Sequence, residues 1–130
     1  TNSRDIAADD FFVGMFETAL EEDEIITAIS FPKPSAAAYS KFPNPASRYA
    51  MVGVFVAKAD AVRVAVTGAG EDGVFRHEGL ETALVRSFAP EAIEAVTVSS
   101  DGLISDIHAP SDYRAHLVKE MTRRAVAACS

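Results

Sequence analysis

The sequence predicts an α+β fold, with an antiparallel sheet of three to four strands packed against a layer of about three helices. Three observations carry this. In Ile25–Phe31, Ile25, Thr27, Ile29 and Phe31 fall on one face and Ile26, Ala28 and Ser30 on the other, the period of a strand. Val52–Ala59 and Val62–Thr67 are valine-rich runs turning near Ala59-Asp60-Ala61, which reads as a hairpin. Strand-like stretches come first and helix-like ones after, ending in Pro110–Ala128. That order suits one sheet covered on one face by helices.

Taken in order, Thr1–Ala7 reads as a tether. Asp9 or Asp10 is placed to cap a short helix over Phe11–Thr18, whose stripe is Phe11, Phe12, Met15 and Phe16, although Gly14 weakens it. The acidic run Glu21–Glu24 is most simply a solvated turn. The strand Ile25–Phe31 follows, and Pro32-Lys33-Pro34 ends it. Ala36–Phe42 forms the next strand, with Tyr39 and Lys41 on one face, and leads into a proline-punctuated loop, Pro43–Tyr49. After the hairpin, Gly68-Ala69-Gly70 and Asp72-Gly73 are expected to stop the sheet. Leu80–Phe88 and Pro90–Ala95 read as short helices and Asp101-Gly102 as a turn. In Pro110–Ala128, Tyr113, Leu117, Met121 and Ala125 recur every four residues beside Val118 and Val126. Ser111 is the expected N-cap, with Asp112 in the first turn and Arg123 and Arg124 toward the C-terminal end of the dipole.

Composition narrows the function. At 130 residues the chain holds one domain, residues 1–130. A net charge of −7 disfavours nucleic acid, whose phosphates need a surplus of Lys and Arg. No apolar run is long enough to span a bilayer. The single cysteine, Cys129, excludes an internal disulfide and any cysteine-built cluster, and a reducing, cytoplasmic compartment is the default. A chain that begins at Thr1 without Met is expected to be an excised piece of a longer polypeptide.

Few residues carry a chemical signal alone. Gly68-Ala69-Gly70 follows a strand but lacks the third glycine and the lysine of phosphate-binding loops, so it reads as a turn. His77, His108 and His116 show no metal-ligand spacing and read as surface or capping residues. Asp106 and His108 could be drawn as an acid–base pair, but no motif places a nucleophile beside them. Arg48-Tyr49 suits either an anion or a ring, or else a salt bridge to the acidic N-terminal stretch, and both readings stand. Lys41 emerges at a strand end beside a stiff loop, within reach of a phosphate, hydroxyl or carbonyl.

The ordered set of motifs resembles a known family. It comprises Asp10-Phe11-Phe12, Glu17-Thr18-Ala19-Leu20, Glu24–Pro32, Lys41–Ala50, Val62–Gly70, Asp106-Ile107-His108 and Tyr113–Leu117. These are similar to the C-terminal domain of the FAD-binding (medium) subunit of aerobic carbon monoxide dehydrogenases and other molybdenum hydroxylases of the xanthine oxidase superfamily. The resemblance implies an α+β domain, with the Gly-rich FAD loops on a preceding domain absent from this chain. It implies partners: that N-terminal FAD-binding domain, a molybdenum-containing large subunit and an iron–sulfur small subunit. In the complete subunit FAD passes electrons from the iron–sulfur clusters to an acceptor; the isolated piece is expected to be inactive and not to retain FAD. Two residues are matched to flavin contacts, Lys41 and the aliphatic Ile26, with Arg48 and Tyr49 in second rank. The rival expectation is an acidic α+β protein-interaction module that never touches flavin.

Overall fold

The computed structural model describes residues 3–129; Thr1 and Asn2, the start of the expected tether, lie outside the described residues. Its centre is a four-stranded antiparallel meander in the order β3 (Ala36–Pro43), β4 (Ala50–Lys58), β5 (Val62–Gly70) and β6 (Gly73–Arg76). The register sets Ala38 opposite Val56, Ser40 opposite Val54 and Phe42 opposite Val52, and in turn Val54 opposite Val66 and Val56 opposite Val64. A period of two therefore puts Val52, Val54, Val56, Val62, Val64 and Val66 on one buried face. The helices α2 (Glu78–Arg86) and α3 (Ser111–Ala128) cover that face, α2 over β5 and α3 over β3 and β4, with a 3-10 turn at Pro90–Ile93 between them. Leu80, Leu84, Ile93, Val118 and Met121 close the core against the valines.

The α+β expectation holds, and so do the strand at residues 36–42, the hairpin, the short helices expected near residues 80–88 and 90–95, the turn at Asp101-Gly102 and the last helix. Several other expectations change for identifiable reasons. The fourth strand is β6 and not Ile25–Phe31, which forms neither helix, strand nor turn. Glycine does not stop the sheet at residue 68. β5 instead bulges between Val66 and Gly70 and continues, and the chain reverses only at Glu71-Asp72. Phe11–Thr18 is not a helix: one turn, α1 (Ala8–Phe11), leads into a small hairpin of β1 (Phe12–Gly14) and β2 (Glu17–Thr18). So short an apolar stripe needs a surface to pack on to stay helical, and Phe12, Met15 and Phe16 remain exposed. Ser111 is not the cap of α3; Pro110 holds that place, with no side-chain bond. Arg123 and Arg124 serve Glu120 rather than the helix end, and their hydrogen bonds hold its carboxyl at about 2. Glu21–Glu24 does turn, but Glu24 is tied to Arg4 at 2.6 Å.

Each buried polar side chain among the described residues makes a bond to backbone, although Arg114 Nε is left without a partner. Thr122 donates to the Val118 carbonyl one turn back. Glu81 reaches from α2 to accept the Val64 N–H at 2.9 Å and pairs with Arg76, which also holds Asp9 of the N-terminal arm. Burial pushes the Glu81 carboxyl up, yet the Arg76 and Val64 hydrogen bonds hold it below its ordinary range.

The most connected group is Arg114, buried in the first turns of α3. Its Nη1 donates to the Met51 carbonyl at 2.7 Å and to the Gly68 carbonyl at 3.2 Å, and its Nη2 pairs with Asp106 at 2.9 Å. Asp106 in turn accepts the N–H groups of His108 and Ala109. These two residues therefore brace the loop before α3 against the ends of β4 and β5, and the acid–base pair drawn from Asp106 and His108 resolves into a turn. The Ala109 N–H foremost, then the His108 N–H and the Arg114 guanidinium, outweigh partial burial and lower the Asp106 carboxyl from its ordinary 3.8.

Two outcomes follow for stability. Arg114→Met keeps the apolar stem but leaves three acceptors without their donor, and a loss of roughly 3 kcal/mol is expected in urea unfolding. A lowered carboxyl stabilises the fold above its unfolded value and loses that contribution as pH falls through the folded one. The share of the acid limb that Asp106 supplies should therefore be lost as pH falls below its ordinary 3.8, and that share should be smaller in Arg114→Met. Separately, Gly68 has φ +77° and a Cβ there would stand 2.2 Å from the Ala50 oxygen, whereas Gly102 has φ +71° in open space. Gly102→Ala should cost about 1 kcal/mol and Gly68→Ala roughly 3 kcal/mol or more by the same measurement.

Candidate functional site

β3 presents two faces. Ala38, Ser40 and Phe42 turn inward; Tyr39 and Lys41 turn out, as their spacing predicts. Phe42 makes an edge-on contact with Tyr113 of α3, and Tyr113 stacks on His116, so the strand end ahead of the loop is fastened to the helix layer. Residue 41 is thus held from behind while its side chain faces solvent.

The loop beyond it is closed by its own backbone. The Asn44 N–H donates to the Tyr49 carbonyl at 2.7 Å and the Arg48 N–H to the Asn44 carbonyl at 2.8 Å. Asn44 Oδ1 accepts from Ala46 and Ser47, and Ser47 Oγ accepts from Tyr49. Closing so tight a turn puts Arg48 at φ +62°, a left-handed conformation unusual for arginine. Lys41 completes the arrangement: its Nζ donates to the Arg48 carbonyl at 3.1 Å.

That bond uses one of the ammonium's three donors. The other two have no partner among the described residues, nor does the Arg48 guanidinium, and the Tyr49 ring is 81% exposed. The salt bridge from Arg48 to the acidic stretch does not form; within that stretch Glu24 pairs with Arg4 and Asp9 with Arg76. One loop therefore displays two cations and an aromatic ring, a set suited to oxygen-rich or anionic groups and to a planar ring.

Two neighbours of Lys41 escaped sequence reasoning. Gly53 lies directly across from Lys41 on β4, and a Cβ there would stand 2.3 Å from the Tyr39 hydroxyl. Only glycine lets the Tyr39 ring lie flat across the sheet, where with Phe55 it makes a half-exposed aromatic surface next to the lysine. A glycine inside a valine run is the one sequence signal of this close approach. Ile26 is placed elsewhere, in the unpaired segment before β3 and 53% exposed, so the structure does not bring it together with Lys41 by any strand pairing. The histidines take quiet roles: His77 Nδ1 caps α2 at Leu80, His108 is exposed and His116 lies against Tyr113. No cluster of potential metal ligands exists among the described residues, and none of their helices is long and apolar enough to cross a membrane.

Comparison with known proteins agrees with this architecture. No family model matches the chain. Over 95% of its length it is 38% identical to the medium subunit of nicotine 6-hydroxylase from Paenarthrobacter nicotinovorans. Over the same share it is 26% identical to the carbon monoxide dehydrogenase medium chain of Hydrogenophaga pseudoflava. It spans 47% of each, about half the length of these curated relatives. In fold it matches the solved reconstituted CO dehydrogenase from Oligotropha carboxidovorans with a TM-score of 0.78 at 26% identity, over 95% of this chain and 48% of that one. In sequence and in fold, the chain is similar to the medium subunits of nicotine 6-hydroxylase and carbon monoxide dehydrogenase, and it matches about half of their length, the C-terminal part.

Proposed function

We propose that the chain is the C-terminal domain of an FAD-binding oxidoreductase subunit of a molybdenum hydroxylase, where it closes one side of the flavin site and packs the subunit into its complex. FAD, when bound, would supply the redox chemistry, taking electrons from iron–sulfur clusters and handing them to an acceptor. The observation that carries this is the outward display of Lys41, braced on the Arg48 carbonyl with two donors left over, in a chain related to medium subunits along nearly its whole length.

The residues fit an edge of such a site and not a whole one. The concavity beside Val98, His116 and Lys119 and the one beside Arg63, Arg76 and Arg86 include neither Lys41 nor Ile26. This chain would contribute an ammonium to a flavin oxygen and an apolar contact from Ile26. The enclosing half of the pocket would come from the N-terminal FAD-binding domain of the same subunit. The molybdenum-containing large subunit and the iron–sulfur small subunit are the remaining partners, and the substrate is chosen at the molybdenum site on another polypeptide. The lone Cys129 suits a reducing, cytoplasmic setting.

A charge-assisted hydrogen bond to flavin contributes about 1.5–3 kcal/mol, so Lys41→Ala in the complete subunit should weaken FAD retention roughly 10- to 100-fold. The fold should be little affected, because the bond from Lys41 to the Arg48 carbonyl is exposed. Flavin content after gel filtration and the rate of flavin reduction measure this. If both are unchanged, Lys41 has no flavin role.

A further inference from the structure

Three arginines reach one concavity from three elements. In β5 the alternation Val62-Arg63-Val64 buries the valines and turns Arg63 outward. Ala65 lies opposite Arg76 of β6, so Arg63 and Arg76 hold diagonal positions on the same face of the sheet, close enough for long side chains to meet. Arg86 comes from the last turn of α2. All three line the concavity together with Glu78, Glu81 and Thr82 of α2.

The charges at this place are not balanced by pairing. Arg4, Arg76, Arg114, Arg123 and Arg124 each hold a carboxylate at 2.6–2.9 Å. Arg63 and Arg86 hold none among the described residues, and Arg63 donates only to the carbonyl of its neighbour Val62. Acids are not scarce: the chain has 19 Asp and Glu against 12 Lys and Arg. Glu81 is engaged by the Val64 N–H and by Arg76. Glu78 stands in the first turn of α2, where the helix dipole already favours its charge. Like charges set side by side on a sheet repel, and a guanidinium fork is shaped to receive a planar or tetrahedral oxyanion.

One carboxylate from a distant part of the chain does come to this place. Asp9 of the N-terminal arm accepts from Arg76 Nη1 at 2.7 Å, and its side chain stays 66% exposed. It engages Arg76 alone and leaves Arg63 and Arg86 unmatched.

We infer that the concavity bounded by Arg63, Arg76 and Arg86 is a binding site for an oxyanion, a carboxylate or phosphate group of a ligand, and that the Asp9 carboxylate competes with that ligand for Arg76. The oxyanion bridges Arg63 and Arg86 and takes the face of Arg76 that Asp9 holds, while the pairing of Arg76 with Glu81 is kept. Neither Lys41 nor Ile26 lines this concavity, so the site is separate from the proposed flavin edge and does not rest on it.

Titration of the 130-residue chain tests this, read on the arginine side-chain N–H resonances. Inorganic phosphate and succinate are added separately, at an ionic strength held constant with chloride. Saturable shifts are expected at Arg63, Arg76 and Arg86 and not at Arg123 or Arg124. Saturation by phosphate alone assigns the site to a phosphate group, by succinate alone to a carboxylate, and by both to either; each upholds the inference. Arg63→Gln and Arg86→Gln should each weaken binding at least ~10-fold, since each removes a charge-assisted hydrogen bond. Both side chains are exposed, so the thermal midpoint should hold and separate lost binding from lost fold. Asp9→Asn should tighten binding roughly 2- to 5-fold, the effect of removing an exposed competing ion pair. Shifts that never saturate, or that appear equally at Arg123 and Arg124, would overturn the inference. Binding that survives both glutamine variants would place the anion elsewhere and overturn it too. Unchanged affinity in Asp9→Asn would refute the competition with the arm.

Discussion

One buried guanidinium sets the geometry of this domain. Leaving a cation unpaired in a core costs far more than a single hydrogen bond returns, so the acceptors of Arg114 have to be held in place by the rest of the fold. They come from the start of β4, the bulge of β5 and the loop that carries Asp106. The bulge in β5 turns the Gly68 carbonyl toward Arg114 and leaves the Ala69 carbonyl to accept the Ile104 N–H. Gly68 presses against the Ala50 oxygen, and Ala50 pairs with Pro43 at the mouth of the Lys41 loop. A chain of contacts thus runs from the first turns of α3 to the candidate site, although Arg114 and Lys41 never touch.

The molecule has two regions held by different forces. Residues from Met51 onward supply the buried core, and its stability comes from apolar burial between the valine face and the helices. The N-terminal arm is attached through charges, chiefly Asp9 to Arg76, an ion pair exposed on the carboxylate side. Such pairs contribute about 0–1 kcal/mol and weaken with salt, so they can orient an arm but not hold it in place of a core. The apolar residues of the arm, from Phe12 to Phe31, are therefore the part of the chain whose burial this fold leaves undone.

Sequence reasoning succeeded where a local period was also the burial pattern. The alternation in β3, β4 and β5 and the stripe in α3 were legible because each side chain's face follows from its own spacing. Lys41 and the Pro43–Tyr49 loop were legible in position for the same reason. The α3 stripe held at Leu117, Val118, Met121, Ala125 and Val126; Tyr113 lies at its rim, and Arg114 and Thr122 complete it, because polar residues enter a core only when other groups satisfy them. Phe11–Thr18 failed as a helix and Ile25–Phe31 as a strand for a shared reason. Both patterns state which residues want burial and say nothing about whether a surface is present to receive them.

The sequence by itself determined the class of the fold, the hairpin, the final helix and the likeness to medium subunits, since these rest on local periodicity and on the order of motifs. Only the tertiary structure decided which strand completes the sheet, that Gly53 makes room for the Tyr39 ring beside Lys41, and that Asp106 braces Arg114 rather than serving His108. Each of these turns on contacts between residues far apart in the chain, and pairing across such distances leaves no trace in the spacing of either partner.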